Sequence, residues 1–211
     1  MSKKTIYLIR HGETEYNKSG AVQGSGINAD LNETGQMQAR AFYEHYKDIP
    51  FQKVYISTLK RTYQTAYGFI DAGIPYESLE GLDEISWGTV EGKTLHETGY
   101  QVFKEVLHSW ESGDTKAKLE GGESPEEVVV RQKAAFSHIL SNKNEDLILI
   151  TMHGRAMRIL LSHLLGTPLR MMDQYEHSNT CLYILEYDYD KEAFSLVSAN
   201  NTDHLKIHLN L

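Results

Sequence analysis

The 211-residue chain is poor in cysteine, in proline and in basic side chains. Cys181 is the only cysteine, so no intrachain disulfide can form and a reducing compartment is compatible with the sequence. The 21 lysines and arginines are outnumbered by 29 aspartates and glutamates, which gives a formal net charge of −8. A chain this acidic lacks the basic surface that binds nucleic acid. No apolar run is long enough to span a bilayer, so we expect no membrane association.

The even composition of the chain favours one domain over several. Only four prolines are present, and no Pro-, Gly- or Ser-rich linker divides the sequence. A chain of this length can bury one sizeable core. The opening segment MSKKTIYLIR runs directly into an apolar stretch and shows no cleavable signal. We therefore expect a single domain over residues 1–211 in a cytoplasmic protein, whereas the oligomeric state is unknown from the sequence.

Three short apolar runs have the pattern of strands buried on both faces of a parallel sheet. They are TIYLI at residues 5–9, VYI at 54–56 and LILIT at 147–151. A helix pattern follows each run, and a further strand pair is predicted at 181–187 and 194–197. The alternation of strands and helices favours an α/β domain with helices on both faces of the sheet.

Three helix starts are marked by capping residues. Asn32 is placed to cap the helix after the first strand, and Ser57 or Thr58 is placed to cap the next one. Ser124 and Glu127 form a capping box, which is the clearest start signal in the chain. These signals predict that the helices begin close to the ends of the strands that precede them.

The segment from about residue 93 to 120 fits the alternation least well. It contains a helix pattern, but no strand precedes it. We interpret it as an insertion over one end of the sheet, in the position of a lid. The aromatic side chains in and beside it either form a small core of the insertion, the reading we prefer, or line an outer pocket: Trp87, Tyr100, Phe103 and Trp110.

Each of the three predicted strands is followed by a cationic or imidazole side chain. Arg10 and His11 come directly after the first strand, Arg61 follows the second, and His153 follows the third. Ligands of open α/β sheets bind just beyond the carboxyl ends of such strands. If the strands are parallel neighbours, these four side chains converge on one anion-binding pocket. We also predict that Arg61, which lies off the apolar stripe of its helix, need not be buried in the packing face of that helix.

These residue types suit phosphoryl transfer through a covalent intermediate. Guanidinium groups neutralise phosphate oxygens with paired hydrogen bonds, and an unprotonated histidine can serve as the nucleophile. Further donors are available from the Gly154 amide and from the Asn17 and Gln23 side chains. Protonation of the leaving oxygen needs a carboxylic acid. Four acids stay open as candidates on chemistry alone: Glu13, Glu15, Asp83 and Glu84.

Each motif taken alone also has a purely structural explanation. Arg10-His11 and His153 would each fit an ordinary turn after a strand, and Arg61 would fit a solvated first turn of a helix. Their joint occurrence favours function. No HExxH motif, EF-hand loop or dense cluster of His and Asp is present, so no metal site is predicted. Six other histidines are interpreted as surface or boundary residues: His45, His96, His108, His138, His163 and His177.

Taken together, the motifs resemble those of the histidine phosphatase superfamily, the phosphoglycerate-mutase-like proteins. LIRHGETEYN is similar to the signature of that family, and DLNETGQMQAR, STLKRTYQTA, LDEISWGTVEG, GGES, ILITMHGRAMRILL and NTDHL match further motifs in order. The resemblance implies a three-layer α/β/α sandwich with a mixed, mainly parallel sheet. It implies no metal and no other cofactor, and as partner a small phosphorylated metabolite or inorganic phosphate.

The resemblance also assigns roles to individual residues. It implies that His11 becomes phosphorylated and that Glu84, among the four candidate acids, occupies the position of the proton donor. Arg10, Arg61 and His153 would complete the phosphate pocket. The remaining substrate-binding residues would lie beside it: Asn17, Gln23, Gly24 and Gly154.

Within this family, the sequence favours the phosphatase branch. Mutases usually carry a longer segment after the acid, with paired arginines for the substrate carboxylate, whereas Trp87 to Gly121 is short and contains no arginine. We therefore expect a metal-independent phosphomonoesterase. Two alternatives remain, a cofactor-dependent phosphoglycerate mutase and a non-catalytic protein that binds a phosphorylated ligand. One departure from the family pattern is Ala29, which stands in a loop where proline is common, and it affects no catalytic assignment.

Overall fold

The computed structural model describes residues 3–94 and 100–209, and within these ranges the strands form one six-stranded sheet. Its strands are β1 (Lys3–Arg10), β2 (Lys53–Ile56), β3 (Tyr76–Ser78), β4 (Leu147–Met152), β5 (Leu182–Asp188) and β6 (Ala193–Asn201). They lie in the order β3-β2-β4-β1-β5-β6. The first four strands are parallel, β5 is antiparallel to β1, and β6 is antiparallel to β5. The predicted mixed, mainly parallel sheet is confirmed.

Helices cover both faces of this sheet. Within the described ranges they are α1 (Glu15–Ser19), α2 (Glu33–Tyr46), α3 (Lys60–Asp71), α4 (Tyr100–Glu111), α5 (Pro125–Ser141), α6 (Gly154–Leu164) and α7 (Asp203–Leu209). Side chains of α5 and α6 belong to the apolar cluster on one face, and side chains of α2 and α3 belong to the cluster on the other. None of the helices in the described part of the chain is long and apolar enough to cross a membrane.

The apolar run of β4 follows from its position in the middle of the sheet. Ile148 and Ile150 pack into the cluster with α5 and α6, whereas Leu149 packs into the cluster with α2 and α3. All three side chains are fully buried. A strand covered on both faces needs apolar side chains at successive positions, and this is why LILIT could be recognised as a strand.

Two of the three predicted helix caps are confirmed, and one is wrong. The Asn32 side chain accepts from the Gly35 amide at the start of α2, and Ser124 forms the predicted capping box at the start of α5. The N-cap of α3 is Leu59, which makes no side-chain capping bond. Ser57 and Thr58 do not cap α3, because their hydroxyl groups are bonded to other side chains across the strand ends.

Three short elements were not predicted from the sequence: α1, β3 and α7. The strand β3 contains only three residues and lies at the edge of the sheet, where Tyr76 is 47% exposed. Short, partly exposed elements lack the apolar periodicity by which the longer ones are recognised. They add to the sheet and to its flanks without changing the order of its central strands.

The region of the predicted insertion contains α4 and an aromatic cluster. Trp87 stacks on Trp110 with ring centroids 5.5 Å apart, and Trp110 Nε1 donates to the Ala117 carbonyl at 2.7 Å. These side chains are buried as the preferred reading expects, but their cluster also contains Val128 of α5 and Ile159 of α6, so it is shared with the rest of the domain. Phe103 packs against that cluster and also lines a cavity. Residues 95–99, which include His96, lie outside the described residues, and a lid function stays a prediction.

Candidate active site

The carboxyl ends of β2, β4 and β1 lie side by side, because β4 is hydrogen-bonded to both neighbours in parallel register. The side chains that follow these strands therefore meet at one edge of the sheet. The ring centroids of His11 and His153 are 5.2 Å apart, and Arg61 Nε donates to His153 Nδ1 at 3.1 Å. The condition on which the predicted pocket depends, three parallel neighbouring strands, is met.

His11 is a neutral imidazole with one ring nitrogen available. Its Nδ1 donates to the Gly12 carbonyl at 2.6 Å, and because a carbonyl can only accept, Nε2 carries the free lone pair. Burial lowers the pKa of His11 well below its ordinary value, and the charges of Arg61 and Arg10 lower it further. Burial is the larger of these causes, because His11 is only 2% exposed.

Gly12 is required by a close approach of the backbone of α2. A Cβ at Gly12 would lie 2.6 Å from the Gly35 carbonyl oxygen, which is too close for any other residue. The Gly12 amide also donates to Thr65 Oγ1 at 3.0 Å. The main chain after His11 is thus fixed between α2 and α3, and with it the carbonyl that orients the imidazole.

Arg61 is fully buried, and what buries it is contact with a loop and with His153 rather than packing of the apolar stripe of α3 on the sheet. Besides its bond to His153, Nη1 donates to the Ile27 carbonyl at 2.6 Å and Nη2 to the Gly24 carbonyl at 3.3 Å. The loop that contains these carbonyls covers the first turn of α3 and buries a side chain off its apolar stripe. Burial lowers the pKa of Arg61 to about 10, and the nearby Glu84 opposes this shift, so Arg61 is charged at neutral pH. The guanidinium N–H groups not used by these bonds remain available to a ligand.

His153 is tied to two side chains and is neutral. It accepts from Arg61 at Nδ1, so its Nε2 carries the proton and donates to Ser57 Oγ at 2.8 Å. Burial lowers the pKa of His153 well below its ordinary value, and Arg61 and His11 lower it further. His153 therefore lies beside His11 without adding a competing positive charge.

Arg10 is placed between the pocket and His177. Its Nη1 donates to His177 Nδ1 at 3.1 Å, while its Nε is buried and has no hydrogen-bond partner among the residues that the structure describes. A Cβ on Gly154 would lie 3.2 Å from this Nε, so the glycine allows Arg10 to lie against the start of α6. An unpaired buried N–H is costly, and a phosphate oxygen bound here would accept from it.

Asn17 and Gln23 belong to a hydrogen-bonded cluster next to Arg10. Gln23 Oε1 accepts from Thr14 Oγ1 at 2.9 Å and from Asn17 Nδ2 at 3.4 Å, and Asn17 Oδ1 accepts from Asn179 Nδ2 at 3.2 Å. These bonds orient Gln23 Nε2, which is buried and finds no partner in the described ranges. It is a second donor that a bound anion would satisfy.

Three of the four candidate acids are either exposed or bonded to Asn32 or Thr58. Glu15 is exposed, and Glu13 accepts from Asn32 Nδ2 at 2.8 Å. Asp83 accepts from both the amide and the hydroxyl of Thr58 at 2.7 Å. Burial raises the pKa of Asp83, and these two bonds oppose the shift. Asp83 therefore serves to join the β2–α3 connection to the loop that precedes Glu84.

Glu84 is buried, and its carboxylate faces the N-terminus of α6. Its Oε1 accepts from the amides of Ile85 at 2.9 Å and Ala156 at 2.8 Å, and Oε2 accepts from the amide of Arg155 at 3.1 Å. Its charge also acts on both guanidinium groups of the pocket, where it opposes the larger lowering of their pKa by burial. Glu84 is thus joined directly to the element that carries His153.

Several contacts of this site were not predicted. His177 was interpreted as a surface or boundary residue, and it is indeed partly buried, but its bond to Arg10 was not foreseen. Asn179 Nδ2 donates to the His11 carbonyl at 3.1 Å. Both residues precede β5, which is antiparallel to β1, so its beginning lies at the edge where the parallel strands end. Only the direction of β5 relative to β1 could have indicated these contacts, and local sequence patterns do not show strand direction.

This edge of the sheet and the loop beside it carry a free imidazole nitrogen, two guanidinium groups and two unpaired buried N–H donors. Such a set can bind an oxyanion and present a nucleophile to it. Within residues 3–94 and 100–209, no group of three or more His, Cys, Asp or Glu side chains could hold a metal ion. The donors and the imidazole at this edge are suited to phosphate chemistry carried out by side chains.

The burial of neutral histidines predicts an acid-sensitive fold. Burial lowers the pKa of His163 to about 4 and that of His177 to about 3, whereas the ordinary value is 6.5. Below pH 6.5 the unfolded chain takes up protons that these native histidines do not, so stability falls as the pH falls. We expect each to contribute up to about 1.4 kcal/mol per pH unit in this window.

Urea unfolding at several pH values between neutral and about pH 5 measures this dependence. His163→Phe removes a titratable group outside the pocket. The slope of the free energy of unfolding against pH should therefore be shallower in the variant, by the amount that corresponds to about one proton. Equal slopes for the variant and the wild type would contradict the assignment to His163.

Comparison with known proteins places the whole arrangement in a recognised group. Residues 6–202 match the family model described as the histidine phosphatase superfamily (branch 1). Phosphoserine phosphatase 1 of Hydrogenobacter thermophilus is 26% identical over 95% of this chain and 93% of its own length. A protein named probable phosphoglycerate mutase GpmB, from Erwinia tasmaniensis, is 32% identical over 77% of this chain and 75% of its own length.

The solved structures agree with these relatives. Bacillus stearothermophilus YhfR superimposes with a TM-score of 0.85 at 27% identity, covering 96% of this chain and 99% of that one. The similarity extends over the sheet, its flanking helices and the region of the pocket. It also includes relatives named as phosphatases and as mutases, so similarity alone does not decide between the two reactions.

Proposed function

Because the chain belongs to the histidine phosphatase superfamily, branch 1, we propose that it is a metal-independent phosphomonoesterase working through a phosphohistidine. Its substrate is a small phosphorylated metabolite. One observation carries the proposal: the Nδ1–H of His11 is bonded to the Gly12 carbonyl, which leaves Nε2 unprotonated in the field of Arg61 and Arg10. A cytoplasmic location and a single domain over residues 1–211 stay predictions.

In the first step, His11 Nε2 attacks the phosphorus of the ester. The Nε2–P bond forms while the bond from phosphorus to the leaving oxygen breaks. Arg10 and Arg61 neutralise the charge of the phosphoryl oxygens, and Gln23 Nε2 and the Gly154 amide add neutral donors. The unpaired Arg10 Nε and Gln23 Nε2 support this assignment, since a bound phosphoryl group would satisfy both.

Glu84 donates a proton to the leaving oxygen, which departs as an alcohol. Its Oε1 already accepts two amide N–H groups and its Oε2 only one, so Oε2 is the oxygen with a position left for the proton. In the second step, water attacks the phosphohistidine, the Nε2–P bond breaks, and Glu84 takes a proton from the water. Inorganic phosphate leaves, and both groups return to their initial state.

The remaining pocket residues orient the reacting groups. His153 fixes Arg61 through its Nδ1 and is itself fixed by Ser57. Gly24 supplies a carbonyl to Arg61, and Asn17 orients Gln23. In this proposal each of these bonds keeps a donor directed at the phosphoryl group.

A phosphoglycerate mutase is the second candidate, since a relative carries that name. In a mutase the phosphohistidine would return its phosphoryl group to a second substrate hydroxyl instead of to water. The absence of arginine between Trp87 and Gly121 favours the phosphatase, because a mutase must hold a glycerate carboxylate during both transfers. The third candidate, a non-catalytic binding protein, is disfavoured because both His11 and Glu84 are present.

An assay with two substrates tests this choice. We expect release of inorganic phosphate from p-nitrophenyl phosphate, and no conversion of 3-phosphoglycerate to 2-phosphoglycerate. Efficient 2-phosphoglycerate formation primed by bisphosphoglycerate, with negligible hydrolysis, would establish the mutase instead. Binding of phosphate without hydrolysis of any ester in a broad panel would establish the binding protein.

The same assay in EDTA tests the metal-free mechanism. Activity should be unchanged by chelation, because the nucleophile and the charge-neutralising groups are all side chains. Loss of activity on chelation, restored by an added divalent metal, would contradict this part of the proposal.

A further inference from the structure

A cavity of about 360 Å³ lies next to the phosphate-binding side chains. Arg10, Asn17 and Gln23 line it, and the same three side chains belong to the proposed phosphate pocket. A phosphoryl group held by Arg10 and Gln23 would therefore have the rest of its ester in this cavity. The other described lining residues are Tyr16, Gly20, Ala21, Val22, Trp87, Phe103 and Asn179.

The cavity wall holds one charged side chain among the described residues, Arg10. Arg10 is already bonded to His177 through Nη1, and its Nε is the group that a phosphoryl oxygen would use. A carboxylate on the substrate would thus compete with the phosphoryl group for one guanidinium, and an ammonium would meet no carboxylate on the described wall.

Part of the cavity wall is apolar and firmly packed. Trp87 and Phe103 meet edge to face with ring centroids 4.9 Å apart, and Trp87 is held from behind by its stack on Trp110. Val22 belongs to the same apolar cluster. Rings held in this way offer apolar surface without a cost of ordering, so they favour a flat or branched apolar group.

We propose that this cavity binds the alcohol half of the substrate and selects an uncharged, apolar or aromatic alcohol over one that carries a carboxylate or an ammonium group. The proposal rests on the proposed phosphatase function and names its substrate class. It predicts that this chain disfavours phosphoserine, the substrate in the name of one relative, because serine carries both a carboxylate and an ammonium group.

Matched pairs of esters test the selection without changing the leaving group. p-Cresyl phosphate and phosphotyrosine share a phenolic leaving group, and n-propyl phosphate and phosphoserine share an alkyl one. We expect kcat/KM to be about tenfold or more higher for the uncharged member of each pair, because the charged member must be desolvated against the apolar wall. Equal values, or a preference for the charged members, would overturn the proposal.

A pair of variants on one helix locates the effect. Phe103→Ala should raise KM for p-cresyl phosphate about tenfold while leaving the inhibition constant of inorganic phosphate unchanged, since phosphate alone does not reach Phe103. Val102→Ala removes an adjacent side chain that is 51% exposed, and it should change neither value. If Phe103→Ala left KM unchanged or weakened phosphate equally, the cavity assignment would be wrong.

These outcomes separate the two proposals. Hydrolysis of all four esters with no preference contradicts the cavity assignment alone and leaves the phosphatase standing. If none of the four esters were hydrolysed, the proposed function would fail, and the assignment of the cavity to its substrate would fail with it.

Discussion

Replacement of His11 by alanine should reduce the turnover of p-nitrophenyl phosphate by about 10⁵-fold or more, because the nucleophile itself is removed. The variant keeps Arg10, Arg61 and the amide donors, so phosphate should still bind. Rapid acid quenching of the wild-type enzyme with radiolabelled substrate should trap an acid-labile phosphoenzyme. In His11→Ala no such label should form. Labelling that survived the substitution would place the nucleophile on another residue.

Two further variants distinguish loss of the nucleophile from loss of stability. The His11 ring is buried, so alanine leaves a cavity that would lower stability. His11→Asn retains an amide that can donate to the Gly12 carbonyl but offers no nucleophile, and it should be equally inactive with a smaller loss of stability. His138→Ala removes an exposed histidine on α5, which should retain both turnover and labelling.

The positions of His11 and His153 were predictable because the strands before them are in the middle of the sheet. β1 and β4 are covered on both faces, so both contain a run of apolar residues, TIYLI and LILIT, that ends close to the histidine. A residue that directly follows such a strand lies at its carboxyl end, and this position does not depend on how the other elements are arranged. Sequence reasoning therefore identified the two imidazoles, while the parallel arrangement that joins them had to be assumed.

The burial of Arg61 was not predictable from its own helix. The helical periodicity of α3 describes only the face that packs on the sheet, and Arg61 lies off that stripe. What buries it is the loop with Ile27 and Gly24, whose carbonyls accept from its guanidinium. Loops carry no periodic signal, so a contact that a loop makes with a helix is invisible before the fold is known.

The support of the pocket by Ser57 and His177 was missed for a similar reason. Ser57 was interpreted as a helix cap, a common local use of serine, but its hydroxyl is bonded to His153, which is far away in sequence. His177 reaches Arg10 only because β5 runs antiparallel to β1. Local patterns predict local bonds, whereas these bonds depend on strand order and direction.

Glu84→Gln should reduce turnover by about 10²–10⁴-fold for substrates with poor leaving groups, because an amide cannot donate the proton that an alkoxide needs. For p-nitrophenyl phosphate, whose leaving group departs without protonation, the loss should be much smaller. The measurement is kcat for a series of aryl and alkyl phosphates of increasing leaving-group pKa, in the variant and the wild type. The difference between the two should grow along the series.

The hydrogen bonds of Glu84 explain why the leaving-group series is needed rather than one rate. A glutamine with its oxygen in the place of Oε1 retains the bonds from the amides of Ile85 and Ala156, but its NH₂ group then faces the amide of Arg155. That conflict should cost about 1–3 kcal/mol of stability and slightly displace the start of α6. A displaced pocket would slow all substrates by the same factor.

A loss independent of the leaving group would therefore show that Glu84 only supports α6 and His153. A loss that increases with leaving-group pKa would show proton donation, since only that step depends on the basicity of the departing oxygen. Glu15→Gln provides the control, because Glu15 is an exposed acid of the same segment as His11 and should keep wild-type rates for the whole series. The plot of the rate loss against leaving-group pKa thus decides whether Glu84, among the four candidate acids, is the proton donor.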